Sequence, residues 1–423
     1  MQTAQKQGWR RRVSSALCAL CALCLLLGFH VAEAQRNTRF LTEYRLDREI
    51  VEIPFEYIRR NIVMKVQINE QKDLTFLLDT GATALVLDTR LGIRGLHIEE
   101  TQFREAEGIT KAEAVSIENI QIASEKGTVN VHNAYALLTP LNTLSQRFGR
   151  RIDGVLGMSV LAGFVLEIDY AKKFVRFYNT RLYSIATRKP DNQKTFLLDL
   201  KPVNPKATIS CLLVSGKLHP KYDYDFLLDT GFSGYVGVAH TAAQEAGHFG
   251  ENTPRIPITS YGVNRSFQSY RLKAPFLSLG EINLTGRTIQ VDVRNKEQYG
   301  QFGLLGNRLL QNYRLTLDTQ RRKMWLERVT EAEEADEPEG LALGLLVKHD
   351  GRVYKVAQVL PNSPAQRAGI RVGDLIVAVN GKLTYEMTAA RVLGLINDPK
   401  GRLTLELADG RDVTLEPPMT QEQ

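Results

Sequence analysis

Apolar and polar residues alternate in short runs along most of the chain, and turn residues separate the runs. Residues 62–68 alternate in character, polar residues 69–73 follow, and the apolar run 74–78 leads into Asp79. A period of two over such lengths predicts strands, so this stretch reads as a hairpin feeding a buried strand. Residues 208–214, a turn around 216–222 and the run 226–228 repeat the arrangement. Segments 114–123 with 128–138, and 270–279 with 282–293, predict further strand pairs joined by short turns. Short helices are expected at 159–163 and 308–312, and the stretch 179–207, with Pro190, Pro202 and Pro205, reads as an irregular link.

The repetition extends to particular residues. Phe76-Leu77-Leu78-Asp79-Thr80-Gly81 returns 150 residues later as Phe226-Leu227-Leu228-Asp229-Thr230-Gly231. Gly154-Val155-Leu156-Gly157 returns as Gly303-Leu304-Leu305-Gly306, and Leu166-Glu167-Ile168-Asp169 as Leu315-Thr316-Leu317-Asp318, both 149 residues on. Three features in register across this distance indicate two duplicated lobes.

The opening segment breaks the pattern. Arg10, Arg11 and Arg12 precede an apolar run over 13–29, and Ala32-Glu33-Ala34 follows. This is the layout of a secretory leader with cleavage after Ala34, which predicts an exported, periplasmic or extracellular protein; an uncleaved anchor is the alternative. The full chain of 423 residues carries a net charge of +7, and Lys6 and the three arginines, against Glu33, put +3 of it in the leader. The remaining excess is spread out, without a basic stripe interleaved with aromatics, so no nucleic-acid partner is expected. Three of four cysteines also lie in the leader, which leaves Cys211 as a buried thiol in a sheet and no intramolecular disulfide. The histidines are scattered, so neither a metal nor another cofactor is expected.

Two Asp-Thr-Gly turns after apolar strands carry the chemistry. A carboxylate at the end of a buried strand must be hydrogen-bonded, the threonine hydroxyl can bond backbone near its repeat mate, and glycine allows a tight turn and close approach. Thr83 and Ser233, each four residues past its aspartate, are expected to hydrogen-bond the carboxylates. Two such turns meeting at a pseudo-twofold axis would bring the carboxylates together so that they share one proton. One could then act as base toward water while the other polarises a carbonyl.

Residues 50–330, with Asp79-Thr80-Gly81-Ala82-Thr83, Asp229-Thr230-Gly231-Phe232-Ser233 and the supporting Val155-Leu156-Gly157 and Leu304-Leu305-Gly306, resemble a single-chain bilobal aspartic protease of the retropepsin/pepsin group, closest in style to bacterial members. The resemblance implies a mainly β fold, a pepsin/retropepsin-like β-barrel pseudo-dimer, with Asp79 and Asp229 as the catalytic pair. It also implies hairpin flaps over an extended peptide, placed around Ile109 and around Tyr261. Phe232 stands where the family has a small residue.

A run of carboxylates with Pro338 over 331–339 reads as a solvated linker. Beyond it, Pro364-Ala365, Ala368-Gly369-Ile370, Gly373-Asp374-Leu375-Ile376 and the turn dipeptide Asn380-Gly381 resemble a small α+β PDZ domain of the bacterial protease-associated type. That resemblance implies that the loop Leu343-Gly344-Leu345 presents backbone N–H groups to a peptide carboxylate, and that the peptide adds as a strand beside a helix at 388–396.

The organisation read from the sequence is a leader (1–34), an extension (35–49), lobe 1 (50–180), lobe 2 (181–330), a linker (331–339), a PDZ domain (340–417) and a tail (418–423). The function expected is an exported aspartic endopeptidase, monomeric because both lobes lie in one chain, acting on a protein or peptide substrate, with a PDZ domain that binds a peptide ligand and recruits or gates the substrate. The alternative is a non-catalytic peptide-binding scaffold on the same fold, its second aspartate closed off by Phe232.

Overall fold

The computed structural model describes residues 41–105, 108–250, 253, 255–261, 266–292, 302–329, 343–349, 353–359, 363–397 and 401–416. The leader, the acidic linker and the tail lie outside the described residues. The described residues fall into two compact units, one ending at 329 and the other starting at 343. Both are mainly β.

The larger unit holds the duplicated lobes. In lobe 1 the strand Gly154–Leu156 lies parallel to Gln71–Leu78, pairing Val155 with Leu77, and antiparallel to Leu85–Asp88. In lobe 2 Phe302–Leu305 lies parallel to Tyr222–Leu228, pairing Leu304 with Leu227, and antiparallel to Val236–Ala239. Three-strand contacts of this kind bury both faces, which is why Phe-Leu-Leu and Val/Leu-Leu-Gly are apolar throughout. The expected short helices form at Met158–Leu161 and Asn307–Leu310. A helix that the periodicity does not announce, Asn142–Phe148, packs Leu144 and Phe148 with Leu141, Ile152 and Val155 into a small separate core.

The lobes join through six neighbouring strands of a larger sheet that continues into lobe 2. Their order is Ile50–Pro54, Phe174–Asn179, Phe164–Asp169, Tyr313–Asp318, Lys323–Arg328, Thr195–Pro202. Phe164–Asp169 and Tyr313–Asp318 run antiparallel and pair Glu167 with Thr316, its own repeat mate. The pseudo-twofold axis therefore passes through this pair. Residues 195–202, which copy the strand before Asp79 but lack Thr-Gly, fall in the stretch expected to be irregular and instead form one strand, paired with Lys323–Arg328 through 195–199 and with Leu212–His219 through 200–202, and Asp199 is ion-paired with Lys323. One apolar core runs through both lobes and includes Phe76, Phe164, Phe177 and Phe226, all essentially inaccessible.

Part of the N-terminal extension is built into lobe 1. Glu43–Leu46 pairs with Gly127–Thr139, and the Tyr44 hydroxyl donates to the Ser159 carbonyl at 3.0 Å. Among the described residues no helix is long and apolar enough to cross a membrane.

The smaller unit is a sheet in the order Leu345–His349, Tyr354–Val359, Leu375–Val379, Leu403–Leu407, Asp412–Leu415, with helices Pro364–Arg367 and Ala389–Asn397. The Ser363 hydroxyl caps the first helix by accepting from Gln366 N–H at 3.1 Å. Asn380 and Gly381 both have positive φ, as a tight hairpin turn requires. This unit has its own core around Leu345, Val356, Ile376, Val392 and Leu405.

Candidate active site

Each Asp-Thr-Gly follows its buried strand directly. The backbone N–H of Asp79 donates to the Leu156 carbonyl and that of Asp229 to the Leu305 carbonyl, both at 3.0 Å. The apolar-Leu-Gly elements thus fix where each aspartate begins. Past the glycines, Met158 N–H reaches the Ala82 carbonyl and Asn307 N–H reaches the Phe232 carbonyl, each at 2.8 Å. Every turn is held at its start and end by the same neighbouring element.

The two turns are locked to each other by their threonines. Thr80 Oγ1 donates to the Leu228 carbonyl at 2.7 Å and accepts from Thr230 N–H at 3.1 Å. Thr230 Oγ1 donates to the Leu78 carbonyl at 2.9 Å and accepts from Thr80 N–H at 3.0 Å. Both threonines are buried, so these four bonds satisfy groups that water does not reach.

The carboxylates lie face to face across this lock. Asp79 Oδ1 accepts from Gly81 N–H at 2.8 Å and Ala82 N–H at 3.2 Å. Asp229 Oδ1 accepts from Gly231 N–H at 2.9 Å and Phe232 N–H at 3.0 Å. A β-carbon on Gly81 would stand 2.6 Å from Asp229 Cγ, and one on Gly231 would press still closer on the Asp79 carboxylate. Each glycine is thus the surface on which the opposite aspartate rests. Gly81→Ala or Gly231→Ala is expected to push the facing carboxylate out of place and to lower any activity of the pair at least tenfold, with a smaller effect on the unfolding midpoint. Paired kinetic and thermal measurements on either variant check this.

Burial raises the pKa of both aspartates. Asp229 is raised well above the usual carboxylate range, first by burial, then by the charge of Asp79 and the hydrogen bond between the two side chains. The upward shift of Asp79 is opposed by its backbone donors and by the same bond between the two side chains. Both residues keep part of their surface exposed, as do Gly81, Ala82 and Thr83 and the run 231–234. These residues make up an accessible floor.

The hydroxyls of Thr83 and Ser233 are engaged differently from expectation. Thr83 Oγ1 lies 3.3 Å from Cys211 Sγ, and Ser233 Oγ accepts from Arg147 Nη2 at 3.2 Å. Backbone N–H groups hold the carboxylates instead, because the tight turn aims them at Oδ1 from within two or three residues. Cys211 is buried as expected but stands just before a strand, Leu212–His219, and its thiol also donates to the Gly81 carbonyl at 3.3 Å. Phe232 folds its ring over Gly234 and Gly306, where any side chain would collide with it. Gly234 is the repeat mate of Ala84, so the larger side chain at 232 is matched by a missing one at 234.

Asn307 is a further contributor that motif reading did not find. Its side chain donates to the carbonyls of Thr230 and Arg60 and accepts from the Tyr170 hydroxyl at 2.7 Å. The available signal is that a polar residue stands where the repeat has Met158. Of the expected flaps, the backbones of Ile109 and Tyr261 lie near the tips of hairpins Leu96–Glu105/Gly108–Ser124 and Ile256–Tyr261/Ser266–Lys273. Their side chains lie outside the described residues.

In the smaller unit, Leu343 and Leu345 are buried and Gly344 has φ +67°, a conformation that favours glycine. Among the described residues Leu345–His349 is an edge strand with one neighbour, and the helix Ala389–Asn397 lies beside it. The backbone of this loop, rather than its side chains, is what the edge can offer to a ligand.

Fold and site together define a bilobal aspartyl protease-like domain followed by a PDZ domain. Comparison with family models agrees: residues 64–160 match the aspartyl protease family and residues 355–409 match the PDZ domain. No curated protein matches the chain. Among solved structures, basic 7S globulin from soybean is similar at a TM-score of 0.41 and 11% identity, over 66% of this chain and 95% of that one.

Proposed function

We propose that the protein is an exported aspartic endopeptidase. The observation that carries this reading is the placement of Asp79 and Asp229 side by side, each against the other's glycine, on an accessible floor. In this reading Asp229 carries the shared proton and hydrogen-bonds the carbonyl oxygen of the scissile peptide. Ionised Asp79 takes a proton from a water, whose oxygen attacks the carbonyl carbon and gives a tetrahedral intermediate. Proton return to the amide nitrogen then breaks the C–N bond. The threonine lock contributes rigidity, which keeps the carboxylates in reach of one another without rearrangement.

The hairpins bearing Ile109 and Tyr261 act as flaps in this reading, and the edge strand after Gly344 recruits a peptide by strand addition. The apolar run at the N-terminus directs export, and one chain supplies the whole site, so the working unit is a monomer. The experiment is digestion of a peptide library by the purified protein from acidic to neutral pH, beside Asp79→Asn. Cleavage by the wild type that the variant lacks supports the reading. An equal product pattern from both, or none from the wild type, overturns it.

A further inference from the structure

Asn307 begins the short helix after Gly306, and Met158 begins the matching helix of lobe 1. The two positions differ in what they can give to the turns beside them. Asn307 is fully buried, and its amide is held from lobe 1 by the Arg60 carbonyl at 2.8 Å and by the Tyr170 hydroxyl. Tyr170 is itself fixed, since its ring meets Phe55 and Tyr57 edge-on at 6.3 and 5.4 Å between centres. The Tyr57 hydroxyl in turn donates to Gln311, which caps the helix that Asn307 begins. A side chain of lobe 2 is thus oriented by an aromatic group of lobe 1.

The amide spends its remaining donor on the Thr230 carbonyl. That carbonyl and the N–H of Gly231 are the two ends of one peptide unit, and the N–H donates to Asp229 Oδ1 at 2.9 Å. A peptide whose oxygen accepts a hydrogen bond becomes a better donor at its nitrogen, because electrons of the unit shift toward the oxygen. The Tyr170 hydroxyl, the Asn307 amide, the Thr230–Gly231 peptide and the Asp229 carboxyl therefore form one chain in which each link polarises the next. The Met158 side chain has no N–H or O–H, so the lobe 1 element cannot make the same bond to Thr80.

We propose that Asn307 is a positioning residue for Asp229, which aims and polarises the Thr230–Gly231 peptide toward Oδ1 and so favours the ionised form of that carboxyl alone. Two aspartates that the repeat makes equal in sequence are thereby made unequal in chemistry. The titratable groups against this chain are Asp79 across the pair, Tyr170 within it and Tyr57 beside Tyr170, while the Cys211 thiol lies on the Gly81 carbonyl of the opposite turn. Burial, then the neighbouring Tyr57, holds Tyr170 well above the usual phenol value, so its hydroxyl remains a donor while the carboxyls titrate. The use of this inequality in catalysis rests on the endopeptidase reading, but its effect on titration does not.

Titrating one carboxyl at a time tests it without turnover. Full-length Asp79→Asn protein keeps Asp229 as the remaining member of the pair, and Asp229→Asn protein keeps Asp79. Isotope-labelled aspartate carboxyl carbons, read by NMR, give each midpoint, and the signal is assigned as the one missing when both aspartates are replaced. In the Asp79→Asn background, Asn307→Met, which installs the residue that the repeat carries, is expected to raise the Asp229 midpoint by about 0.3–0.5 pH unit. Tyr170→Phe removes only the outer link and should raise it by less. In the Asp229→Asn background both changes should move Asp79 by less than about 0.1 unit, because the polarised peptide does not face it. An unmoved or lowered Asp229 midpoint, or equal shifts of both aspartates from a general loosening of the turns, overturns the proposal. Absence of cleavage by the wild type would count against the endopeptidase reading alone.

Discussion

Asp229→Asn is expected to lower kcat on a cleavable peptide by about a thousandfold or more while leaving the protein at least as stable at neutral pH. The loss follows from removing one member of a proton-sharing pair, since asparagine can neither hold nor return the proton that the second step needs. Asp79→Asn should lose as much, because the base toward water is removed. The stability result follows from the raised pKa of Asp229. A carboxyl with a folded pKa above its unfolded value binds its proton more tightly in the folded state. Its contribution is fully present below about pH 4, the unfolded value, and is lost as pH rises through the folded one. Asparagine has no such penalty, so the difference between wild type and variant in urea should widen as pH rises from 4 toward neutrality. A constant difference across that range would mean that burial does not strain the dyad.

The second large effect concerns the threonine lock. Thr80→Val or Thr230→Val removes one hydroxyl that both donates and accepts, and leaves a buried N–H and a buried carbonyl without partners. At about 1–3 kcal/mol for each unsatisfied group, either change should cost about 2–6 kcal/mol. Thr→Ser at the same position keeps the hydroxyl and should recover most of that. Urea unfolding of the wild type and the two variants at one position gives the comparison. A valine variant as stable as wild type would show that the bonds do not join the lobes energetically.

Much of this arrangement was legible in the sequence because it is local and occurs twice. Asp79 and Asp229, the glycines that receive the opposite carboxylates, the paired apolar strands and the short helices after Gly157 and Gly306 are all carried by short motifs in register. Asn380-Gly381 and the Ser363 cap are local signals too. What escaped are contacts between residues far apart in sequence. Ser233 and Arg147 are 86 residues apart, and Thr83 and Cys211 are 128 apart. Periodicity carries no information about such distances, and Arg147 lies on a seven-residue helix too short to show a clear apolar stripe. Thr83 and Ser233 follow the turns, but backbone N–H groups fill the role expected of their hydroxyls. The ring of Phe232 could be placed only by knowing that Gly234 and Gly306 lie beneath it.

The pairing of Glu167 with Thr316 has a consequence in terms of mass action. A strand that pairs with its own repeat mate forms a contact that two identical separate halves could also form, with a dissociation constant and a dependence on dilution. Joining the halves replaces that constant by an effective concentration set by the connecting chain. Contact between the two turns is then independent of how much protein is present. The same link releases the halves from having to be identical, so one end of the floor can hold an arginine and the other a thiol.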